Sequence, residues 1–123
     1  MTLIRNLHDA PTEPVTTAGA CGSSMAVVIG QADGAPNFAI RRIRVEPGGV
    51  TPHHSHDYEH EIVVLTGRGA VRAGGEDRAI GPGDVVFIPP GEEHRLRAAN
   101  DEPMEFLCVT PTRSASGQPV PGT

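Results

Sequence analysis

The chain is built from short apolar runs separated by turn residues. No window of about ten residues carries the 3.6-residue period of an amphipathic helix, whereas runs of strand length recur along the chain. Strands are predicted at residues 25–29, 38–45, 50–55, 60–66, 70–73, 78–80, 85–88, 94–98 and 104–109, with a weaker one at 3–7. Gly74-Gly75 predicts a hairpin between two of these runs. Many short strands without helices indicate an all-β sandwich or barrel.

The length and the ends of the chain bound its organisation. With 123 residues there is room for one domain, which we expect over residues 1–110 with an irregular N-terminal segment. Residues 111–123 are polar, rich in Pro and Gly and without apolar period, so they are predicted to be a disordered tail. No apolar run reaches the roughly 20 residues of a membrane span, and no secretory signal is visible. These features predict a cytoplasmic protein that does not bind membranes.

Composition excludes several classes of chemistry. All ten basic residues are Arg, so no side-chain amine is available for Schiff-base chemistry. The net charge of −5 argues against general nucleic-acid binding. Two cysteines, Cys21 and Cys108, are too few for a disulfide scaffold and are expected to be reduced thiols.

Histidines carry the strongest chemical signal. His54 and His56 are two residues apart, which on a strand places both rings on one face about 7 Å apart. His60 begins the next predicted strand and lies on the same inward face as Ile62, two residues later. His94 begins a later predicted strand. Several neutral imidazoles in one interior need partners, and a divalent cation supplies them. The sequence therefore predicts one divalent transition metal held by His54, His56, His60 and His94.

Two stretches resemble the paired signatures of the cupin superfamily. GGVTPHHSHDYEHEIVVLTG fits the first signature, with its glycines and its H-x-H in register, and GDVVFIPPGEEH fits the second. His60 stands where the family usually has Glu, with Glu61 one residue later as the reserve ligand, and Ala98 fills the usual Asn position. The pattern is similar to small single-domain bacterial cupins with a four-His site. That resemblance implies a jelly-roll (double-stranded β-helix) barrel and Mn(II) or Fe(II), with Ni(II), Cu(II) and Zn(II) left open, and a homodimer paired through N-terminal strands.

Other polar residues carry weaker predictions. Cys108 shares parity with Phe106 on the last strand and is equally interpretable as a small core residue or as a neighbour of the metal. Arg41 could reach the cavity and bind a carboxylate, or lie on a solvated face. Both are the candidate catalytic residues. We expect His53, His8, Glu59, Glu92 and Glu93 to lie outside the ligand set.

Three functions are compatible with these residues. The first is a metal-dependent dioxygenase that cleaves a carbon–carbon bond in a small oxygenated substrate, because four neutral ligands leave adjacent open positions on a six-coordinate ion. The second is an isomerase or epimerase acting on a sugar acid, with the metal polarising a hydroxyketone. The third is a non-catalytic module that binds a small ligand or stores metal. Fold does not decide among them.

Overall fold

The computed structural model describes all 123 residues and is all-β, as predicted. Its only helical element is a single 3-10 turn, Gln31–Asp33, and no helix is long and apolar enough to cross a membrane. The strands are β1 Glu13–Pro14, β2 Cys21–Ile29, β3 Phe38–Val50, β4 His60–Thr66, β5 Gly69–Ala73, β6 Glu76–Ile80, β7 Val85–Ile88, β8 His94–Ala98 and β9 Met104–Pro111.

All strands belong to one antiparallel sheet that curls around a single core. The order of neighbours is β6-β5-β8-β3-β9-β4-β7. In addition, β2 pairs with β3 between Ile40 and Val50, and with β1. Strands far apart in sequence are therefore neighbours, and β3 contacts both β8 and β9. This topology brings the start of β4 and the start of β8 toward the same end of the core.

Alternate side chains of the strands point inward and fill the interior of the barrel. On β8 and β9, and on β4 as far as Val64, every second side chain is buried, as the period of a strand with one inward face requires. Phe106 and Ile62 are each 1% exposed, and burial of such side chains contributes about 1.5–3 kcal/mol each. His60 and His94 continue the inward rows of β4 and β8, so the core positions them.

Several predicted strands have the observed bounds, and others do not. β4, β7 and β8 match the prediction residue for residue. The hairpin is also confirmed, because Gly74 and Gly75 join β5 to β6 with positive φ values of 59° and 81°. Residues 3–7 form no strand.

The separate strand predicted at 50–55 is wrong. β3 instead continues through Pro47-Gly48-Gly49 as a bulge, because its partner β2 supplies a register shift there: Ser23 faces Val45, and Cys21 faces Val50. Gly48 takes a φ of 71° that favours glycine. Beyond Val50 the chain leaves the sheet, although the Thr51 amide donates to Leu96 O on β8 at 2.9 Å and His54 forms an isolated bridge to His94.

The C-terminal residues, for which the sequence predicts disorder, lie against the barrel. β9 extends past residue 110 to Pro111, and Val120 is 3% exposed. The Val120 amide donates to Thr112 O at 2.9 Å, and the Gln31 amide donates to Thr123 O at 2.8 Å. One apolar side chain and paired backbone groups fix this segment, which its polar composition does not reveal.

Candidate metal centre

Four histidines from three places in the chain converge at one end of the core. His54 and His56 come from the extended segment after β3, and His60 and His94 are the first residues of β4 and β8. The bridge between His54 and His94 is made by two backbone hydrogen bonds of 3.0 and 3.2 Å. One ligand atom from each of the four lies within 4.8 Å of all the others. His56 Nε2 and His60 Nε2 are 3.0 Å apart. This arrangement can hold one metal ion.

The protein sets the tautomer of two of the rings. His56 Nδ1 donates to Tyr58 O at 2.8 Å, and His94 Nδ1 donates to Glu92 O at 2.9 Å, since a carbonyl can only accept. Their Nε2 lone pairs are therefore left free. His60 Nδ1 lies 2.9 Å from Thr110 Oγ1, which orients the third ring in the same sense. These outer hydrogen bonds prepare imidazole nitrogens for a cation.

Burial and mutual repulsion keep the cluster neutral. Desolvation, followed by the charges of Arg41 and His56, lowers the pKa of His60 to about 2. Desolvation and the nearby His94 lower the pKa of His54 to about 4. Desolvation also lowers the pKa of His56 and of His94. At neutral pH no proton has to leave these rings before a metal binds.

Glu61, the reserve ligand, lies on the other face of β4. It pairs with Phe87 on β7 and Val109 on β9, and it is absent from the cluster of ligand atoms. A hydrogen bond shared with Glu59 raises the pKa of Glu61 to about 7. The alternation that buries His60 turns Glu61 outward, so the structure brings His60 to the centre in its place.

A cavity of about 500 Å³ opens onto His54, His60 and His94, and both Arg41 and Cys108 line it. Cys108 is 2% exposed, with its Sγ 3.2 Å from His60 Nδ1 and 3.3 Å from Thr110 Oγ1. Arg41 faces Cys108 directly across β3 and β9, and its Nη2 donates to Cys108 Sγ at 3.5 Å. Arg41 thus stands beside the centre and not on a solvated face.

Several residues around the histidines and the cavity were not predicted from the sequence. Thr110 is completely buried behind His60 and follows the inward parity of Phe106 and Cys108, which could have identified it. The Tyr58 ring stacks on the His56 ring with centroids 3.7 Å apart, and burial raises the pKa of its phenol. Residues 13–17 and 121–122 also line the cavity, and no local sequence pattern in either segment predicts this position.

The remaining polar residues lie outside the ligand cluster. His8 is exposed, and exposed His53 places its Nε2 3.6 Å from Glu93 Oε1. The backbone carbonyl of Glu92 accepts a hydrogen bond from His94 Nδ1. None of these side chains belongs to the cluster of four histidines.

Comparison with known proteins gives the family. The family described as "Cupin domain" matches residues 41–110. The solved structure of the polyketide cyclase RemF from Streptomyces resistomycificus aligns with a TM-score of 0.87 at 33% identity, covering 98% of this chain and 86% of that one. The 1-methylthio-D-xylulose 5-phosphate methylsulfurylase of Rhodospirillum rubrum is 37% identical over 70 residues, which are 57% of this chain and 45% of that protein. The (R)-mandelonitrile lyase of Granulicella tundricola is 40% identical over 68 residues, 54% of this chain and 52% of that protein.

These curated relatives act in different reactions, and the chain spans about half the length of each. The matched region runs from Arg41 on β3 to Thr110 on β9 and contains all four histidines of the centre. The chain belongs to the cupin family.

Proposed function

We propose that the chain is a metal-dependent cyclase that closes a ring in a poly-β-ketone substrate. The observation that carries this proposal is a cluster of four metal-competent histidines, of which His54, His60 and His94 line an apolar-walled cavity of about 500 Å³. The likeness to the polyketide cyclase RemF supports the choice of substrate, because it extends over 98% of this chain.

The donor set fits a divalent transition metal. Neutral imidazoles with fixed Nδ1 protons suit Mn(II), Fe(II), Ni(II), Cu(II) and Zn(II), and Mn(II) or Fe(II) remains our proposal for the native ion. His54, His56, His60 and His94 would hold it. When bound, such an ion supplies Lewis acidity, which polarises carbonyl groups and favours loss of a proton from the carbon between them.

The rest of the cavity would bind and shield the carbon chain. Ile43, Ile62, Leu96 and Phe106 give it apolar walls that exclude water. An aldol-type ring closure moves one proton from carbon to oxygen and forms one carbon–carbon bond, so it consumes no oxidant or reductant. The half-buried Tyr58, whose phenol stays neutral, is our choice for the group that donates a proton to the new alkoxide oxygen and is then reprotonated by the proton lost from carbon.

The experiment tests ring closure directly. A linear poly-β-ketone is generated in situ by a minimal polyketide synthase, and products are followed by chromatography and mass spectrometry under nitrogen and under air. We expect cyclised products to rise at least tenfold, by roughly 1.4 kcal/mol of barrier, with metal-loaded protein but not with His60→Ala. His53→Ala is the matched control, since His53 lies outside the cluster.

Other outcomes separate the alternatives. Metal-dependent oxygen uptake with a cleaved product would favour the dioxygenase that the sequence suggests. Interconversion of a sugar acid without ring closure would favour an isomerase or epimerase. Tight binding with no product under either gas would leave a ligand- or metal-binding module.

We also propose that two copies pair in solution. β7 is at the end of the sheet, where Val85 and Phe87 are 72% and 59% exposed. Uncovered apolar side chains on an edge strand favour association. β1 pairs with β2 of its own chain, so this edge supports a dimer without exchange of N-terminal strands.

A further inference from the structure

Arg41 is a cation that the cavity leaves without a counter-ion. Arg5, Arg42, Arg44 and Arg72 each pair with a carboxylate. Arg41 forms no ion pair, and it alone among the unpaired arginines lines the cavity. Its single hydrogen bond goes to the sulfur of Cys108 at 3.5 Å, and sulfur is a weak acceptor. Its Nε is buried without any partner. A half-buried guanidinium with so few acceptors is costly unless a ligand supplies them.

The surroundings of Arg41 are short of negative charge. Glu13 is the only carboxylate among the residues that line the cavity, and it is exposed at the mouth and forms no ion pair with Arg41. Arg41 is also the only Arg in the cavity wall, and the chain has no Lys. The cavity therefore offers one positive charge to one anionic group.

The position of Arg41 relates this charge to the histidines. Cross-strand pairing sets Arg41 opposite Cys108, and Cys108 Sγ is in turn 3.2 Å from His60 Nδ1. The Cys108 contact holds Nη2 in place. Nη1 has no hydrogen-bond partner and, unlike Nε, is not sealed from solvent. A ligand that reaches the His Nε2 atoms with one end would have its other end within reach of this guanidinium.

We propose that Arg41 forms a carboxylate subsite, so that the substrate carries a carboxylate in addition to its dicarbonyl unit. The inference deepens the proposed function and rests on it for the dicarbonyl part of the ligand. A guanidinium edge matches the two oxygens of a carboxylate. The single guanidinium charge balances a carboxylate on its own, whereas a phosphate dianion there would also need part of the charge of a bound metal ion.

A pair of stable probes tests the subsite without turnover. The probes are 4,6-dioxoheptanoate and its methyl ester, which share the diketone and differ in the carboxylate. Binding to Zn(II)-loaded protein is measured by isothermal titration calorimetry. We expect wild type to bind the acid about 10- to 100-fold more tightly than the ester, the range of a charge-assisted hydrogen-bonded pair.

The variants assign that preference to one side chain. Arg41→Gln should reduce the preference to about threefold or less while leaving the affinity for the ester unchanged. Arg41→Lys keeps the charge and loses the planar guanidinium, so its preference for the acid should lie between those of wild type and Arg41→Gln. Arg95→Gln is the matched control, because Arg95 is half-buried without an ion pair and does not line the cavity. Zinc content and circular dichroism verify each fold, and Arg41→Lys decides the test if Arg41→Gln does not fold.

Three results would overturn the subsite: an acid preference that survives Arg41→Gln, equal affinities for acid and ester in wild type, or no binding of the acid. A preference that survives would mean that the carboxylate binds the zinc ion directly. Because the readout is binding, failure of the subsite and failure of ring closure are separate results.

Discussion

Removal of one hydroxyl behind His60 should weaken metal binding without touching a ligand. Thr110 is completely buried, and its Oγ1 is 2.9 Å from His60 Nδ1. In Thr110→Val the new side chain has nearly the same shape, so the packing is kept and the acceptor is lost. No water can replace the hydroxyl at a site without solvent access. The nearest remaining partner of His60 Nδ1 is Cys108 Sγ at 3.2 Å, a weak acceptor.

The size of the effect follows from two losses. Loss of an outer hydrogen bond to a metal-binding histidine costs about 10- to 100-fold in affinity, which is about 1.4–2.7 kcal/mol. A buried donor left without a good partner also lowers the free energy of unfolding of the metal-free protein by about 1–3 kcal/mol. Sulfur compensates in part, so Cys108→Ala combined with Thr110→Val should weaken metal binding by more than either change alone.

The assay is competition for Zn(II) against a fluorescent chelator, together with urea unfolding of the metal-free protein. Thr112→Val is the control, because Thr112 is 3% exposed and its hydroxyl donates to Pro36 O at 2.8 Å, away from the cavity. It should lose stability and keep its zinc affinity. If Thr110→Val bound zinc as tightly as Thr112→Val, the orienting role of Thr110 would be refuted.

Three further predictions follow from the site and its surroundings. Alanine at any one of the four clustered histidines should lower bound metal, measured by elemental analysis, whereas Glu61→Ala should keep it, since Glu61 lies outside the cluster; the reverse pattern would contradict the ligand set. Metal-free protein should lose stability as pH falls below about 6.5, because the unfolded chain then protonates histidines that the folded protein holds neutral, with about 1.4 kcal/mol per pH unit for each proton. Glu61 has the opposite effect, because its pKa is raised to about 7 in the folded protein, which therefore takes up one proton there before the unfolded chain does. A free energy of unfolding in urea that stays constant from pH 6.5 to about 5 would argue against the neutral cluster. Phe87→Glu should convert a dimer into a monomer in light scattering if the β7 edge pairs, whereas a monomeric wild type would reject the dimer.

The parts of the fold that were predictable depend on local signals. β4 and β7 alternate between the two faces and are followed directly by Gly or Pro, and β8 alternates in the same way, so their bounds follow from neighbours in sequence. The continuation of β3 through Gly48 was not predictable, because it depends on a register shift in β2, a different strand. Burial of Val120 similarly depends on packing against a barrel that the tail sequence does not contain.

The residues of the site were likewise only partly predictable from the sequence. His60 and His94 could be identified because strand parity and a family signature select them, and the H-x-H motif of that signature identifies His54 and His56, which lie outside the strands. Thr110 acts on His60 across 50 residues of sequence, and the ring stacking of Tyr58 on His56 depends on how the segment after β3 leaves the sheet. Partners that orient ligands are ordinary residues in sequence, and only three-dimensional proximity gives them their role.

With a divalent ion bound at the histidines, the cavity would carry a charge opposite in sign to that of the whole chain. The whole protein carries a net charge of −5, yet the cavity wall has Arg41 as its cation and the exposed Glu13 at the mouth as its only carboxylate. Four neutral imidazoles would leave a bound divalent ion its full charge, and the apolar walls would screen neither it nor the guanidinium as well as water does. A cavity of this charge stabilises oxygen atoms that are negative in the bound ligand or become so during reaction. An enolisable dicarbonyl with a carboxylate at its far end provides both kinds of oxygen, which is why the metal centre and Arg41 lead to the same class of substrate.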